Sequence, residues 1–234
     1  MKLSVVVPVH NEQDNLPSLI NRVENALDID FEMILVNDHS SDKTAEIVKE
    51  FTPKFRNIRL IENKRDKGFA NALRTGFENA RSDVILPLMA DLCDDLDTIG
   101  EMLKKIEEGF DVVCGARYIK GGRRLGGSKL KGFLSGFVGG SLKFFLHLPT
   151  ADIANAFKMY RKQVIDSIDI RAQGFEISME ITLKAYFRGF KITEVPTVWK
   201  EREKGKSSFS MLKVLPGYLK VYLWAIFKGG KNGG

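Results

Sequence analysis

Leu3-Ser4-Val5-Val6-Val7-Pro8-Val9-His10-Asn11-Glu12 begins as a short apolar run and ends in a polar, acidic cluster, and the same design recurs three times along the chain. Phe31–Val36 leads into Asn37-Asp38-His39-Ser40-Ser41-Asp42. Val84–Leu88 leads into Met89-Ala90-Asp91-Leu92-Cys93-Asp94-Asp95, and Val112–Cys114 into Gly115-Ala116-Arg117-Tyr118. Runs this short, rich in Val and Ile and without alternation, are strands buried on both faces of a parallel sheet. Ligands of open α/β sheets bind at the carboxyl ends of the strands. Acids gathered at that one edge point to a sugar nucleotide carried with a divalent metal.

Helical patterns lie between the strands. Leu16, Leu19, Ile20, Val23 and Leu27 recur at helical spacing, with Asp14 near the start. Ser41 or Asp42 can cap a helix over Lys43–Phe51 that Pro53 ends, and Ile58–Ile61 reads as a further strand. A helix through Ala70–Ala80 precedes the run at Val84. Another, begun by Asp95, carries Ile99, Met102, Leu103 and Ile106 and closes at Gly109. This alternation predicts a doubly wound, mostly parallel α/β sheet. After Gly115 the character changes. Gly121–Gly127 reads as a flexible basic loop, and Leu130–Leu148 as an apolar helix interrupted by Gly132, Gly136, Gly139 and Gly140. Ala156–Tyr160 and Ile192–Val198 read as strands flanking a helix over Phe175–Phe187. Phe209–Phe227 reads as an amphipathic helix that Pro216 kinks or restarts, with a fraying tail beyond.

The 234 residues are 44% hydrophobic and 28% charged, as in an ordinary globular protein, and carry a formal net charge of +6. The basic excess sits late in the chain and favours anionic partners. Cys93 and Cys114 make neither a disulfide framework nor a zinc site. No stretch reaches the ~18 uncharged residues of a spanning helix, and no signal peptide precedes the first strand. The expected location is cytoplasmic, peripheral at a membrane.

Of the acids after the fourth apolar strand, Asp91 stands where a metal-bound diphosphate needs one or two carboxylates, while Asp95 reads as a helix cap. Asp38 and Glu12 end the second and first strands, where acids bind ribose or a base edge or else satisfy loop amides. His10 and His39 share those loops. Neither G-x-G-x-x-G nor G-x-x-x-x-G-K-[ST] occurs, so metal or basic side chains must neutralise a diphosphate. The basic candidates run from Arg117, Arg123, Arg124, Lys129 and Lys131 to Lys200, Arg202, Lys204 and Lys206, with Arg117 and Arg202 best placed.

Val5–Glu12 followed by Asn37–Thr44 resembles the opening of family 2 glycosyltransferases of GT-A fold. Gly115-Ala116-Arg117-Tyr118 with Gly121-Gly122, Gly174-Phe175-Glu176 through Glu180, Glu194-Val195-Pro196, and Arg202 with Gly205-Lys206-Ser207-Ser208 narrow the resemblance. They are similar to the dolichol-phosphate mannose synthase and polyprenyl-phosphate glycosyltransferase branch. Met89–Asp95 departs from the D-x-D that the branch often carries, keeping only its second acid.

The resemblance implies inverting transfer of a hexose from a nucleoside diphosphate sugar, such as GDP-mannose or UDP-glucose, to a polyprenyl phosphate. It assigns Pro8, His10, Glu12, Asp38 and Asp91 to the nucleotide, and Asp91 with Asp94 to a Mg²⁺ or Mn²⁺ ion. Arg117, Lys131, Arg202 and Ser207 fall to the acceptor phosphate, and Asp91, Arg117 and Arg202 to catalysis. Residues 1–208 would form the catalytic domain, with a nucleotide-sugar half (1–117) and an acceptor half (118–208), and 209–234 an amphipathic helix and tail. A membrane face, and a membrane partner or second copy, are implied; nucleic acid is not. Two alternatives stay open. One is transfer to a sugar hydroxyl, which needs Asp152 or Glu176 as base; the other is a nucleotide-binding relative without chemistry.

Overall fold

The computed structural model describes residues 2–202 and 210–232. In chain order the elements are β1 (Leu3–Val9), α1 (Leu16–Ala26), β2 (Phe31–Asn37), α2 (Thr44–Phe51), β3 (Ile58–Glu62), α3 (Phe69–Asn79), β4 (Val84–Pro87), α4 (Thr98–Glu107) and β5 (Val112–Ala116). Then come β6 (Arg123–Leu125), α5 (Lys129–Leu146), β7 (Lys158–Arg161), α6 (Lys162–Ser167), α7 (Ile177–Phe187), β8 (Ile192–Pro196), β9 (Val198–Lys200) and α8 (Met211–Asn232).

Seven strands form one sheet in the order β3-β2-β1-β4-β7-β5-β8. It is parallel except for β7, which runs antiparallel to both β4 and β5. The unbroken apolar runs have a direct cause. Val5, Val7 and Val9 of β1 pack into one core with α1 and α4, while Val6 packs into a second core with α3 and α7. A strand covered on both faces has no solvent side to fill with polar residues. A third cluster joins Leu142 and Leu146 of α5, Met179 and Leu183 of α7, and Val221 and Ala225 of α8.

Several expectations are revised. Gly121–Gly127 is not wholly a loop: its centre is β6, paired in parallel with β9. The single strand expected over Ile192–Val198 breaks at Thr197, whose amide turns back to Ala116 O, leaving β8 in the large sheet and β9 in the small one. The helix expected over Phe175–Phe187 begins at Ile177, and α6 was not foreseen. α8 is one helix with Pro216 inside it. Asp14 does not cap α1: Asn15 holds the N-cap position. At α2, Asp42 does accept the Thr44 amide, at 3.0 Å. No helix among the described residues is long and apolar enough to cross a membrane.

Candidate active site

The loops after β1 and β2 are stitched together at the carboxyl edge of the sheet. His10 Nδ1 lies 2.8 Å from Asp38 O, Asn11 Oδ1 accepts the Ser41 amide at 2.8 Å, and the Glu12 amide donates to Thr44 Oγ1. Asn11, His39 and Leu92 all take left-handed backbone (φ 53°, 56° and 61°), so three loops of this edge hold strained, non-glycine conformations. Asp38 is buried; its carboxylate accepts the Asn63 side-chain amide at 2.7 Å and the Gly68 amide at 2.9 Å. It therefore organises the loop entering α3 at the carboxyl edge of the sheet. Pro8 sits within β1, opposite Val36 of β2.

The acid loop follows β4. Asp91 Oδ1 accepts the Cys93 amide, and the Cys93 carbonyl accepts the Lys200 amide at 3.0 Å, so the end of β9 clasps this loop. Asp94 is buried and its Oδ2 has no hydrogen-bond partner. Burial, then the charge of Asp91, pushes the Asp94 carboxyl up to about 7. Burial and the neighbouring Asp91 also hold the Cys93 thiol well above its ordinary range, so Cys93 is packing and not a nucleophile. Asp91 and Asp94 fit a divalent cation. The orphaned oxygen lacks a positive partner, and two carboxylates leave coordination positions for phosphate oxygens and water. Among the described residues no group of three or more His, Cys, Asp or Glu side chains is placed to hold a metal by itself.

Arg117, at the end of β5, is gripped by Asp152. Its amide and Nε donate to Asp152 Oδ2 at 2.9 and 2.7 Å, and Nη2 donates to Oδ1 at 2.8 Å and to Ser135 Oγ of α5 at 3.3 Å. The Asp152 bonds raise the guanidinium pKa against the lowering effect of burial. Arg202 Nη2 lies 3.2 Å from both Glu12 carboxylate oxygens, which joins the segment after β9 to the loop after β1. Lys131 stands in the first turn of α5, where its amide bonds the capping Ser128 hydroxyl. A cavity of about 340 Å³ lies among Asp14, Ser18 and Arg22, the acid loop Asp91–Asp95, and Lys200 and Arg202.

The structure thus gathers Asp91, Asp94 and Arg202 around one opening, with Glu12 bonded to Arg202. His10 and Asp38 lie together at the ends of β1 and β2, stitched to Glu12 by the same loops. Arg117 stands behind, within electrostatic reach of Asp94. Ser207 lies outside the described residues. Two partners were not anticipated: Ser135, and Asp152 as the carboxylate that holds Arg117. Asp152 is 35 residues from Arg117 and Arg202 is 190 from Glu12, separations at which no local pattern announces a pair. The two carboxylates considered as bases are both engaged. Asp152 binds Arg117, and Glu176 Oε1 accepts the Gln173 and Gly174 amides at 3.1 Å each.

Comparison with known proteins returns one family model, described as glycosyl transferase family 2, which matches residues 4–169. The chain is 32% identical to a dolichol-phosphate mannosyltransferase of Pyrococcus furiosus over 88% of its own length and 59% of the relative's. It is 28% identical to a polyprenol monophosphomannose synthase of Mycolicibacterium smegmatis, covering 95% of this chain and 86% of that one. Among solved structures, glucosyl-3-phosphoglycerate synthase from Mycobacterium tuberculosis, crystallised with Mn²⁺, UDP and glucosyl-3-phosphoglycerate, superposes with a TM-score of 0.70. That match has 16% identity and covers 96% of this chain and 80% of that one. The fold is GT-A.

Proposed function

The chain belongs to glycosyl transferase family 2, and from that premise we propose that it transfers a hexose from a nucleoside diphosphate sugar to a polyprenyl phosphate, with inversion. Relatives named for transfer to dolichol and polyprenol phosphates support the acceptor class. The observation that carries it is that both carboxylates a hydroxyl acceptor would need as base are held in other bonds, while two arginines, ion-paired with Asp152 and Glu12, stand at the site. Arg117 is held beside Ser135 and Arg202 lies at the acid loop, whereas Asp152 and Glu176 are already engaged. A phosphate monoester, with a second pKa near ~6, is anionic at neutral pH and attacks without a base. A sugar hydroxyl needs one.

In this reading Pro8, His10, Glu12 and Asp38 bind the nucleoside at the ends of β1 and β2. Asp91 and Asp94 would hold Mg²⁺ or Mn²⁺, which when bound supplies positive charge to the diphosphate. Arg117, Lys131 and Arg202 receive the acceptor phosphate, with Ser207 as a hydrogen-bonding ligand, and their positive charge offsets that on it and on the departing group. An acceptor oxygen bonds to the anomeric carbon from the face opposite the diphosphate. The bond from that carbon to the diphosphate oxygen breaks, and the nucleoside diphosphate leaves with the electron pair. Contact with a membrane surface follows from a lipid acceptor and engages the outer faces of α5 and α8. Residues 1–208 act as the catalytic unit, in a nucleotide half and an acceptor half.

The test is release of nucleoside diphosphate from a panel of GDP- and UDP-sugars with Mn²⁺, with and without a short polyprenyl phosphate. Lipid-dependent release is expected and identifies the donor. Release indifferent to lipid would favour a hydroxyl acceptor, and nucleotide binding without turnover would remove the enzymatic reading.

A further inference from the structure

Lys158, the first residue of β7, has no solvent exposure, an unusual position for a lysine. Its ammonium donates to Ile153 O at 2.7 Å, Ser178 O at 3.3 Å and Ser178 Oγ at 3.2 Å. These acceptors are uncharged, so no hydrogen-bonded carboxylate offsets the desolvation of the charge, a costly arrangement unless the bonds do something specific. What they hold is the loop between α5 and β7. In that loop Asp152 grips Arg117, Asn155 Nδ2 donates to Gly115 O at 2.8 Å, and Ser178 Oγ returns a bond to Asn155 O at 3.0 Å. Ala151 O lies directly against the backbone of α5 at Gly139, where a Cβ would collide with it. The loop is therefore the bearing on which both Arg117 and α5 rest, and Lys158 fastens its underside to the first turn of α7.

We propose that Lys158 is a positioning residue for the acceptor phosphate: by fixing the Ile153 carbonyl against α7 it sets Asp152, and through Asp152 the orientation of the Arg117 guanidinium. This rests on the reading of Arg117 as an acceptor-phosphate ligand.

The experiment compares the full chain with Lys158→Met, with the milder Ser178→Ala, and with Arg117→Lys as reference. The KM for a short polyprenyl phosphate, the KM for the donor, and thermal stability are measured for each. Lys158→Met should raise the acceptor KM roughly tenfold, as expected for misplacing a charge-assisted contact, with the donor KM within about twofold. Ser178→Ala should move the same constant in the same direction by less, and it remains informative if the lysine variant does not fold. Lowered stability with an unchanged acceptor KM in the variants at 158 and 178, while Arg117→Lys raises it, would make Lys158 structural only and overturn the proposal alone. An unchanged acceptor KM in Arg117→Lys would overturn the acceptor reading and the proposal with it.

Discussion

Arg117 and Asp152 form a pair in which the arginine side chain is 11% exposed and the aspartate is fully buried, so each is the other's main compensation for lost water. Removing one partner leaves an uncompensated charge. Asp152→Asn should therefore destabilise the fold by about 3 kcal/mol, read as a shift in urea midpoint, and should weaken the acceptor more than the donor. Asp91 is the contrasting case: among the described residues its carboxylate bonds only the neighbouring Cys93 amide, which an asparagine can also accept, and in the proposed reading its charge serves the cation. Asp91→Asn should cost roughly 100-fold or more in turnover and abolish the Mn²⁺ enhancement of nucleoside diphosphate binding in calorimetry, with the melting temperature unchanged. Lys158 supplies the pH prediction. Burial pushes its ammonium down to about 8 from an ordinary 10.5; Cys114 and Asp152 oppose that shift and Arg117 adds to it. The cost of burying this charge is therefore complete below pH 8 and is relieved as pH rises from 8 towards 10.5, because the folded chain releases the proton first. Cys114, pushed up to about 11 chiefly by burial, tilts stability the opposite way above pH 9. The difference between wild type and Lys158→Met reports the lysine together with its charge coupling to Cys114. Wild type should gain stability relative to the variant across pH 8–10.5, and a flat difference would contradict the shift.

At the scale of elements, the glycines of α5 separate a packed face from an open one. A Cβ at Gly139 would strike Ala151 O, and one at Gly132 would come within 2.6 Å of the Arg124 guanidinium, which also lies 5.0 Å from the Trp199 ring. Nothing lies within 4 Å of a Cβ at Gly140. Gly139→Ala should thus destabilise by about 1–3 kcal/mol despite its better helix propensity. Gly140→Ala should stabilise by up to ~1 kcal/mol, both measured by chemical denaturation. That small residues interrupt an otherwise bulky helix was plain in the sequence, but only the structure separates the tight positions, Gly132 and Gly139, from the open Gly140. The parallel strands were equally legible, since burial on both faces writes itself as an uninterrupted apolar run. β6 and β9 were not. Arg123-Arg124-Leu125 has no apolar face, and its pairing is set by Thr197 turning the chain, not by its own composition. For the candidate site, the placement of its acids and of Arg117 and Arg202 at or just past strand ends was legible. Its internal partners were not, because Asp152, Ser135 and Lys158 acquire their roles only when loops distant in sequence meet.

For the whole molecule, the cores and the outer surface divide the chain's aromatic residues between two tasks. Phe157 and Tyr160 are buried in the sheet, but Phe133, Phe137 and Phe144 of α5 stand 69%, 63% and 75% exposed. Leu215, Leu219, Leu223 and Phe227 of α8, which packs beside α5, are exposed as well. A folded monomer rarely leaves so much apolar surface uncovered without a use for it. Lys129, Lys131 and Lys143 share α5 with these side chains, and Lys213, Lys220 and Lys228 share α8. That combination suits an interface of apolar tails and anionic headgroups. It also fits an enzyme whose acceptor carries its phosphate at such a surface, beside Arg117 and Ser135. The chain should therefore co-sediment with vesicles containing anionic lipid, less so at high salt, where only the electrostatic share is screened. Replacing Phe133, Phe137 and Phe144 together with serine should release it from vesicles without lowering its melting temperature, since exposed side chains contribute little to the core. Turnover of a water-soluble short-chain acceptor should persist in that variant while turnover of a long-chain acceptor in vesicles falls. Undiminished vesicle binding would assign this ridge to some other partner.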